Sequence, residues 1–544
     1  MTPCKNLIGG EWTGARSGAT FETRNPADTD EVVGVFQKSD ADDCRQAIEA
    51  ARAAQPAWAA VPAPKRGEIL HKAAMILESR ADQVAREMTR EEGKTLPEAR
   101  GEVGRAINIL RYVGGEGARL GGEFAPSERD RVFIQTRRRP LGVVGLITPW
   151  NFPIAIPTWK TAPALICGNA VVLKPSDLAP LCAVRLVEAL HEDGVAKGAI
   201  NLVTGPGSKV GNELVTNPAV KAISFTGSEG TGSAIAVEAA KRRARVQLEM
   251  GGKNPTIVLA DADIADAVNV VVNAAFFSTG QRCTATSRVI VEDPIVDRFT
   301  AALVERTKAL KVGNGLETGI EIGPSIDAKQ LATVLDYVGV GTAEGARLLA
   351  GGERLSSGPH ARGYFSSPAV MTDVTPDMRI AQEEVFGPVL GVLPARNLDH
   401  AIEVANGIRF GLSAAICTRS LSSAYEFINR IEAGLVMVNL PSAGVEYHVP
   451  FGGSKASSMG MREQVPWPST STASGRRPTS STDSHHHTHS VAAAVLDHRH
   501  VLARDVNAVE LDSRDARRHV MRVLDRDDIL RCGRALQRHL EAIP

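Results

Sequence analysis

At 544 residues the chain is too long for one compact domain, and 43% hydrophobic with 23% charged residues is ordinary soluble globular composition. Lys plus Arg equals Asp plus Glu at 62 each, so no net field draws it to nucleic acid or an anionic membrane, and a neutral or small charged substrate is expected. No apolar run reaches the roughly 18 residues of a membrane span, MTPCKNLIGGEW lacks the basic-then-apolar pattern of a secretory signal, and seven scattered cysteines without C-x-x-C pairs point to a reducing cytoplasm rather than a disulfide framework or zinc site.

Residues 40–115 carry apolar side chains at three- and four-residue steps with charges between, which predicts helices. After the basic patch Arg137 to Arg139 the pattern changes. Short β-branched runs alternate with helical stretches: GVVGLIT (142–148), AVVLKPS (170–176), INLVTG (200–205) and KAISFTGS (221–228). This spacing predicts βαβ units and a mostly parallel sheet, with ligands at the carboxyl ends of its strands. A second α/β series starts at Asn254 with PTIVLAD and SRVIVED, passes through helices near 295–310 and 328–340, and reaches GLVMVN (434–439). Two such blocks imply a cleft between them.

Several segments at these strand ends carry chemistry. ISFTGSEGTG reads as strand, turn and helix start, where Gly227 and Gly232 permit tight backbone and free amides suit a phosphate. The spacing departs from G-x-G-x-x-G and by itself does not establish a dinucleotide fold. AFFSTGQRCTATS places Cys283 beside Arg282, a neighbour expected to favour thiolate. Glu249 ends the run RVQLEM before two glycines, which suits a carboxylate projecting into a cleft. Asn151, in TPWNFP, offers an amide to a developing oxyanion. A nucleophile, a base and an oxyanion donor are the set that covalent acyl chemistry needs.

PWNFP, LKPS, FTGSxxxG, EMGGKNP, GQRCT, EEVFGPV and PFGGSK, in this order and spacing, resemble the aldehyde dehydrogenase superfamily over about residues 5–464. The resemblance implies an α/β fold with a Rossmann-like cofactor domain, an α/β catalytic domain and a β oligomerisation arm. The expected organisation is a cofactor domain over 1–250 with part of the arm near 119–140, a catalytic domain over 251–440, and a return to the cofactor domain over 441–464. Carried over by motif, Cys283 is the nucleophile, Asn151 and the Cys283 N–H the oxyanion hole, and Glu249 the base for thioester hydrolysis. NAD or NADP is the implied cofactor. Lys174, with Ser176 and Asp177, faces its adenosine ribose; Gly207, Gly227, Ser228 and Gly232 lie by its phosphates; Glu384 holds the nicotinamide ribose and Phe386 packs beside the ring.

NLPSAGVEYHVPFGGSKASS together with GQRCT resembles one branch of that family, the bacterial 2,5-dioxopentanoate (α-ketoglutaric semialdehyde) dehydrogenases. A substrate with a distant carboxylate needs a cation, and Arg282 is the nearest in sequence to Cys283. An Arg282 turned into the protein to pair with an acid is an equal alternative. Phe451 is the second expected substrate contact. The rival activities are oxidation of another semialdehyde or an aliphatic aldehyde, a CoA-acylating reaction, against which Glu249 argues, and an inactive structural homologue.

After Gln464 the sequence departs from the family. VPWPSTSTASGRRPTSSTDSHHHTHS is rich in Ser, Thr and Pro, and residues 465–544 are expected to be disordered, with no strand-like run before VAAAVL. HHHTH has metal-binding residue types but no partner ligands, so no metal is expected. If Pro466 to Ser469 are encoded CCG TGG CCG AGT, the frame two bases on reads Val-Ala-Glu, matching the family's continuation. A frameshift near residue 464 would therefore truncate the arm. Family members are homodimers or homotetramers, and this departure puts assembly in doubt.

Overall fold

The computed structural model describes residues 2–464 except Glu123, Arg131, Asp193 and Val445, together with the backbone of Ala473–Arg476 and His500–Ala503. The β-branched runs after residue 142 form the parallel centre of an eight-stranded sheet. Ile200–Leu202, Ala170–Lys174, Val143–Ile147, Val220–Thr226 and Arg245–Glu249 lie in that spatial order. Antiparallel strands close both sides: Asn6–Ile8 and Glu11–Thr13 beyond Ile200–Leu202, and Ser458–Met459 beyond Arg245–Glu249. Ala170–Lys174 is buried at every position, as expected of a parallel strand covered by helices on both faces.

Strand order reverses about Val143–Ile147, so the crevice between its carboxyl end and that of Val220–Thr226 is a topological switch point. Pro149 to Asn151 leave one end and Gly227 with Ser228 the other. Both groups line the same cavity.

The second eight-stranded sheet has Asn254–Val258 between Thr286–Glu292 and Ser413–Cys417, all parallel. Val389–Ala395 and Leu435–Val438 extend it on opposite sides. Four helices, Ala41–Ala60, Ala63–Ser79, Ala81–Glu92 and Leu96–Glu116, account for the periodic region before residue 117. Leu96–Glu116 starts in a capping box: Glu98 accepts from the Thr95 N–H at 3.0 Å, satisfying an amide that the first turn leaves unpaired. No helix among the described residues is long and apolar enough to cross a membrane.

After Gln464 two short strands are described. Ala473–Arg476 pairs antiparallel with Arg137–Pro140, and His500–Ala503 pairs in parallel with Leu435–Val438. The composition of the tail carries no strand signal there. The sheet edges it meets supply the order, because unpaired N–H and C=O groups template any strand laid beside them. The His-rich run and VAAAVL lie outside the described residues.

Candidate active site

Cys283 follows an unusual turn. Ser278, Thr279 and Gly280 all have positive φ, at 51°, 57° and 64°. Such backbone costs a non-glycine residue about 1–3 kcal/mol, so the surroundings must enforce it. Glu98 Oε1 accepts from the Ser278 N–H at 2.6 Å, Thr279 donates to the Gly323 carbonyl at 3.1 Å, and a Cβ at Gly280 would lie 2.4 Å from the Gly387 carbonyl oxygen. Two asparagines then clamp the nucleophile turn. Asn151 Nδ2 donates to the Gln281 carbonyl at 3.0 Å, and Asn254 Nδ2 donates to the Cys283 carbonyl at 2.8 Å.

An amide nitrogen carries two N–H groups, so positioning Asn151 on Gln281 leaves a second donor on the cavity side. The loop holding Asn151 is itself pinned. Lys94 Nζ donates to the Asn151 carbonyl at 2.7 Å and pairs with Glu102 at 2.6 Å, and the other Glu102 oxygen accepts from the Ile154 and Ala155 N–H groups at the start of helix Ala155–Ile166. A buried ion pair satisfied on every side fixes geometry even where it adds little net stability.

Asn151 and Cys283 line a cavity of about 230 Å³ with Trp150, Thr226, Gly227, Ser228, Met250, Gly251, Glu384 and Phe386. The Trp150 and Phe386 rings meet edge to face at 5.4 Å. Glu384 Oε1 accepts from the Gly252 N–H at 2.9 Å, and a Cβ on Gly251 would approach Glu384 Oε2 to 2.0 Å, so only glycine there allows this carboxylate its place. Burial raises the Glu384 carboxyl to about 7, against the pull of that N–H and of Lys253. The Thr226 hydroxyl is buried without a hydrogen-bond partner among the described residues, and it too faces this cavity. An aromatic pair, a carboxylate and an unpaired hydroxyl at a switch point fit a nucleotide with sugar hydroxyls.

The expectation that Arg282 favours the Cys283 thiolate does not hold. Burial pushes this thiol up to about 12, helped by the negative neighbours Glu384 and Glu249. Arg282 points the other way: its guanidinium pairs with Glu98 at 3.1 Å and donates to Ser278 Oγ at 3.0 Å, away from the cavity wall. The expected substrate contact at Arg282 is corrected accordingly, and the inward-turned alternative describes the structure. Adjacent residues in an extended turn project in different directions, so neighbourhood in sequence did not place Arg282 beside the sulfur.

Glu249 ends its strand as expected but is turned from the cavity. Ser458 donates to its Oε2 at 2.5 Å and Gln247 Nε2 to its Oε1 at 3.2 Å. Gln247 also bonds Ser224 and Lys160, and Lys160 Nζ forms an ion pair with Glu463. Burial, then the Glu463 charge, hold the Glu249 carboxyl well above its ordinary range, while Ser458 and Lys160 oppose the rise. This network borders a second, smaller cavity. Sequence reasoning missed Lys160 and Glu463; the signal was a lone lysine inside the apolar run IAIPTWKTAPALI.

The remaining expected positions are dispersed. Lys174 ends its strand, pairs with Asp177 at 3.0 Å and donates to the Pro175 carbonyl; Ser176 lies in the turn between them. Gly207 opens the short turn Gly207–Gly211 with open space around it. Gly232 packs helix Glu229–Lys241 on Met250, where a Cβ would come within 2.5 Å of the sulfur. Phe451 is buried in a small apolar cluster that Cys283 also packs against, and its ring lies 5.4 Å from the Trp159 ring.

The sequence model of the family described as "Aldehyde dehydrogenase family" matches residues 12–472. The alpha-ketoglutaric semialdehyde dehydrogenase of Bacillus subtilis is 48% identical over 459 residues, 84% of this chain and 94% of the relative. The 2,5-dioxopentanoate dehydrogenase of Saccharolobus solfataricus is 42% identical, covering 81% and 92%. Among solved structures, betaine aldehyde dehydrogenase from Staphylococcus aureus in complex with NAD+ superposes with a TM-score of 0.85 at 35% identity, over 87% of this chain and 94% of that one.

Proposed function

The chain belongs to the aldehyde dehydrogenase family, and from that premise we propose that it oxidises 2,5-dioxopentanoate to 2-oxoglutarate through a thioester on Cys283. The observation that carries this reading is the convergence of Cys283, Asn151 and Glu384 on one cavity at the switch point of the first sheet, with Glu249 near enough for its charge to act on the Cys283 thiol. The two relatives named for this semialdehyde supply the substrate.

In this reading Glu249, whose affinity for protons burial and the Glu463 charge raise above that of an ordinary carboxylate, takes the Cys283 proton. The thiolate adds to the aldehyde carbon, and the cavity-side N–H of Asn151 with the Cys283 N–H stabilises the oxyanion. A nicotinamide dinucleotide, when bound, supplies the hydride acceptor that turns the thiohemiacetal into a thioester. Glu384 and Phe386 would hold its nicotinamide end, Gly227 and Ser228 its phosphates, and Lys174 its adenosine ribose. Asp177 places a negative charge beside Lys174 and disfavours a 2′-phosphate, so NAD is favoured over NADP. Once Glu249 has given up the Cys283 proton to solvent, it deprotonates a water that attacks the thioester carbonyl, releasing the carboxylate and the Cys283 thiolate. The free thiols among the described cysteines suit a cytoplasmic setting.

The test is NADH or NADPH formation with a panel of semialdehydes and aliphatic aldehydes, with and without CoA. The reading expects 2,5-dioxopentanoate to be the best substrate and CoA to be unnecessary. Absolute dependence on CoA, or a clear preference for uncharged aldehydes, overturns it.

A further inference from the structure

We propose that Glu98 is a positioning residue for the nucleophile: its carboxylate locks the left-handed turn that presents Cys283 and ties that turn to the helix holding the oxyanion loop. This rests on the reading of Cys283 as nucleophile and Asn151 as oxyanion donor.

The two oxygens of Glu98 have separate duties. Oε2 accepts from the Thr95 N–H at 3.0 Å and from the Thr95 hydroxyl at 2.9 Å, which completes the start of helix Leu96–Glu116. Oε1 crosses to the turn after helix Ile264–Phe276, 180 residues on, and accepts from the Ser278 N–H at 2.6 Å and its hydroxyl at 3.1 Å. Arg282 closes a ring: Nη2 meets the same Oε1 at 3.1 Å, and Nε donates to Ser278 Oγ at 3.0 Å. The Arg282 and Glu98 side chains are only 12% and 17% exposed, so water competes little for these charge-assisted bonds. A helix cap needs the first oxygen alone. The second is committed to the nucleophile turn.

Ser278 and Thr279 hold a left-handed backbone that non-glycine residues keep only when their surroundings impose it. Thr279 is anchored on the Gly323 carbonyl, and Gln281 Oε1 accepts from the Ile326 N–H. Glu98 holds the first left-handed residue directly and, through Arg282, the residue before the sulfur. On the same helix, one turn beyond Glu98, Glu102 accepts from the Ile154 and Ala155 N–H groups and pairs with Lys94, which donates to the Asn151 carbonyl. One helix start therefore positions the cysteine turn through Glu98 and the oxyanion loop through Glu102. It sets the sulfur against the amide that must receive the oxyanion.

The test measures kcat, KM for aldehyde and coenzyme, and the burst of reduced cofactor, with the best aldehyde of the panel above. It compares wild type, Cys283→Ala, Glu98→Ala, Glu98→Gln, Arg282→Met and the double variant Glu98→Ala/Ser278→Gly. Glu98→Ala should lower kcat by about 10- to 100-fold, the scale of a misplacement of about 1 Å, and leave both KM values within about threefold. Glu98→Gln keeps an oxygen for the Ser278 N–H and should retain more of kcat. Glycine adopts left-handed backbone freely, so Ser278→Gly should recover part of the kcat lost in Glu98→Ala. An unchanged kcat in Glu98→Ala overturns the proposal. A loss spread equally over kcat and both KM values, without recovery in the double variant, shows a general packing role and overturns it too. If Glu98→Ala does not fold, Arg282→Met decides: it leaves the cap intact and opens the ring, and an unchanged kcat there overturns the proposal. Appreciable turnover by Cys283→Ala instead overturns the nucleophile reading itself.

Discussion

Ser458 donates a 2.5 Å hydrogen bond to Glu249, a carboxylate that lies in the field of Glu463. The two acids share Gln247 and Lys160 as intermediaries. Glu249 therefore feels Glu463 as charge across a hydrogen-bonded network.

That coupling has a sign. The negative Glu463 raises the Glu249 carboxyl, while Lys160 lowers it. Glu463→Gln removes the raising charge and leaves the lowering one, so Glu249 should ionise at lower pH. The acid limb of the pH–rate profile for steady-state turnover should move toward acid. A limb that stays in place, or moves toward alkali, rules out this electrostatic link.

Glu249→Gln removes the base and keeps the shape. Steady-state turnover should fall about 10²-fold or more, in line with general-base contributions. A pre-steady-state burst of reduced cofactor should persist where the thioester still forms. Rapid-mixing absorbance at the nicotinamide band reads both, and full steady-state activity would contradict water activation by this residue.

Cys283→Ala should abolish aldehyde oxidation while leaving coenzyme binding, read by fluorescence titration, largely intact. In the coenzyme-free enzyme the thiol, raised to about 12, is almost wholly protonated at pH 7. Its alkylation by iodoacetamide should be slow there and climb steadily with pH up to that value, since the thiolate is the reacting species. Fast alkylation at pH 7 would show a much lower thiol value.

Assembly should suffer from the altered end of the chain. Pro466 and Pro468 cannot donate ladder hydrogen bonds, and the strand Leu435–Val438 is covered by this chain's own His500–Ala503. A covered edge cannot receive a strand from another subunit. We expect weakened oligomers in the chain as it stands and a stable oligomer with higher activity when the other reading frame is restored after Gln464. Analytical ultracentrifugation of both versions decides; a stable, fully active tetramer of the present chain ends the frameshift account.

The parallel strands were legible because burial on both faces demands β-branched runs, and such runs are visible locally. Glu249 and Asn151 were legible as candidates because each stands at or just past a strand end near glycine or proline, and Cys283 because a Gly-Gln-Arg turn leads into it. Lys160 and Glu463 were not, since their partnership spans 303 residues and neither sits in a turn motif. Arg282 misled because sequence adjacency does not set side-chain direction, and Glu98 claims it from a helix cap. The strands Ala473–Arg476 and His500–Ala503 escaped notice because their order comes from the edges they meet rather than from their own composition.

The contact between Gly251 and Glu384 makes the post of one residue depend on the size of the other. A single methyl at 251 would stand 2.0 Å from the carboxylate oxygen, while the next amide holds the other oxygen. The constraint runs one way: any side chain at 251 would push the Glu384 carboxylate out of its place, whereas a shorter residue at 384 leaves Gly251 undisturbed. The carboxylate keeps its post only while position 251 remains glycine.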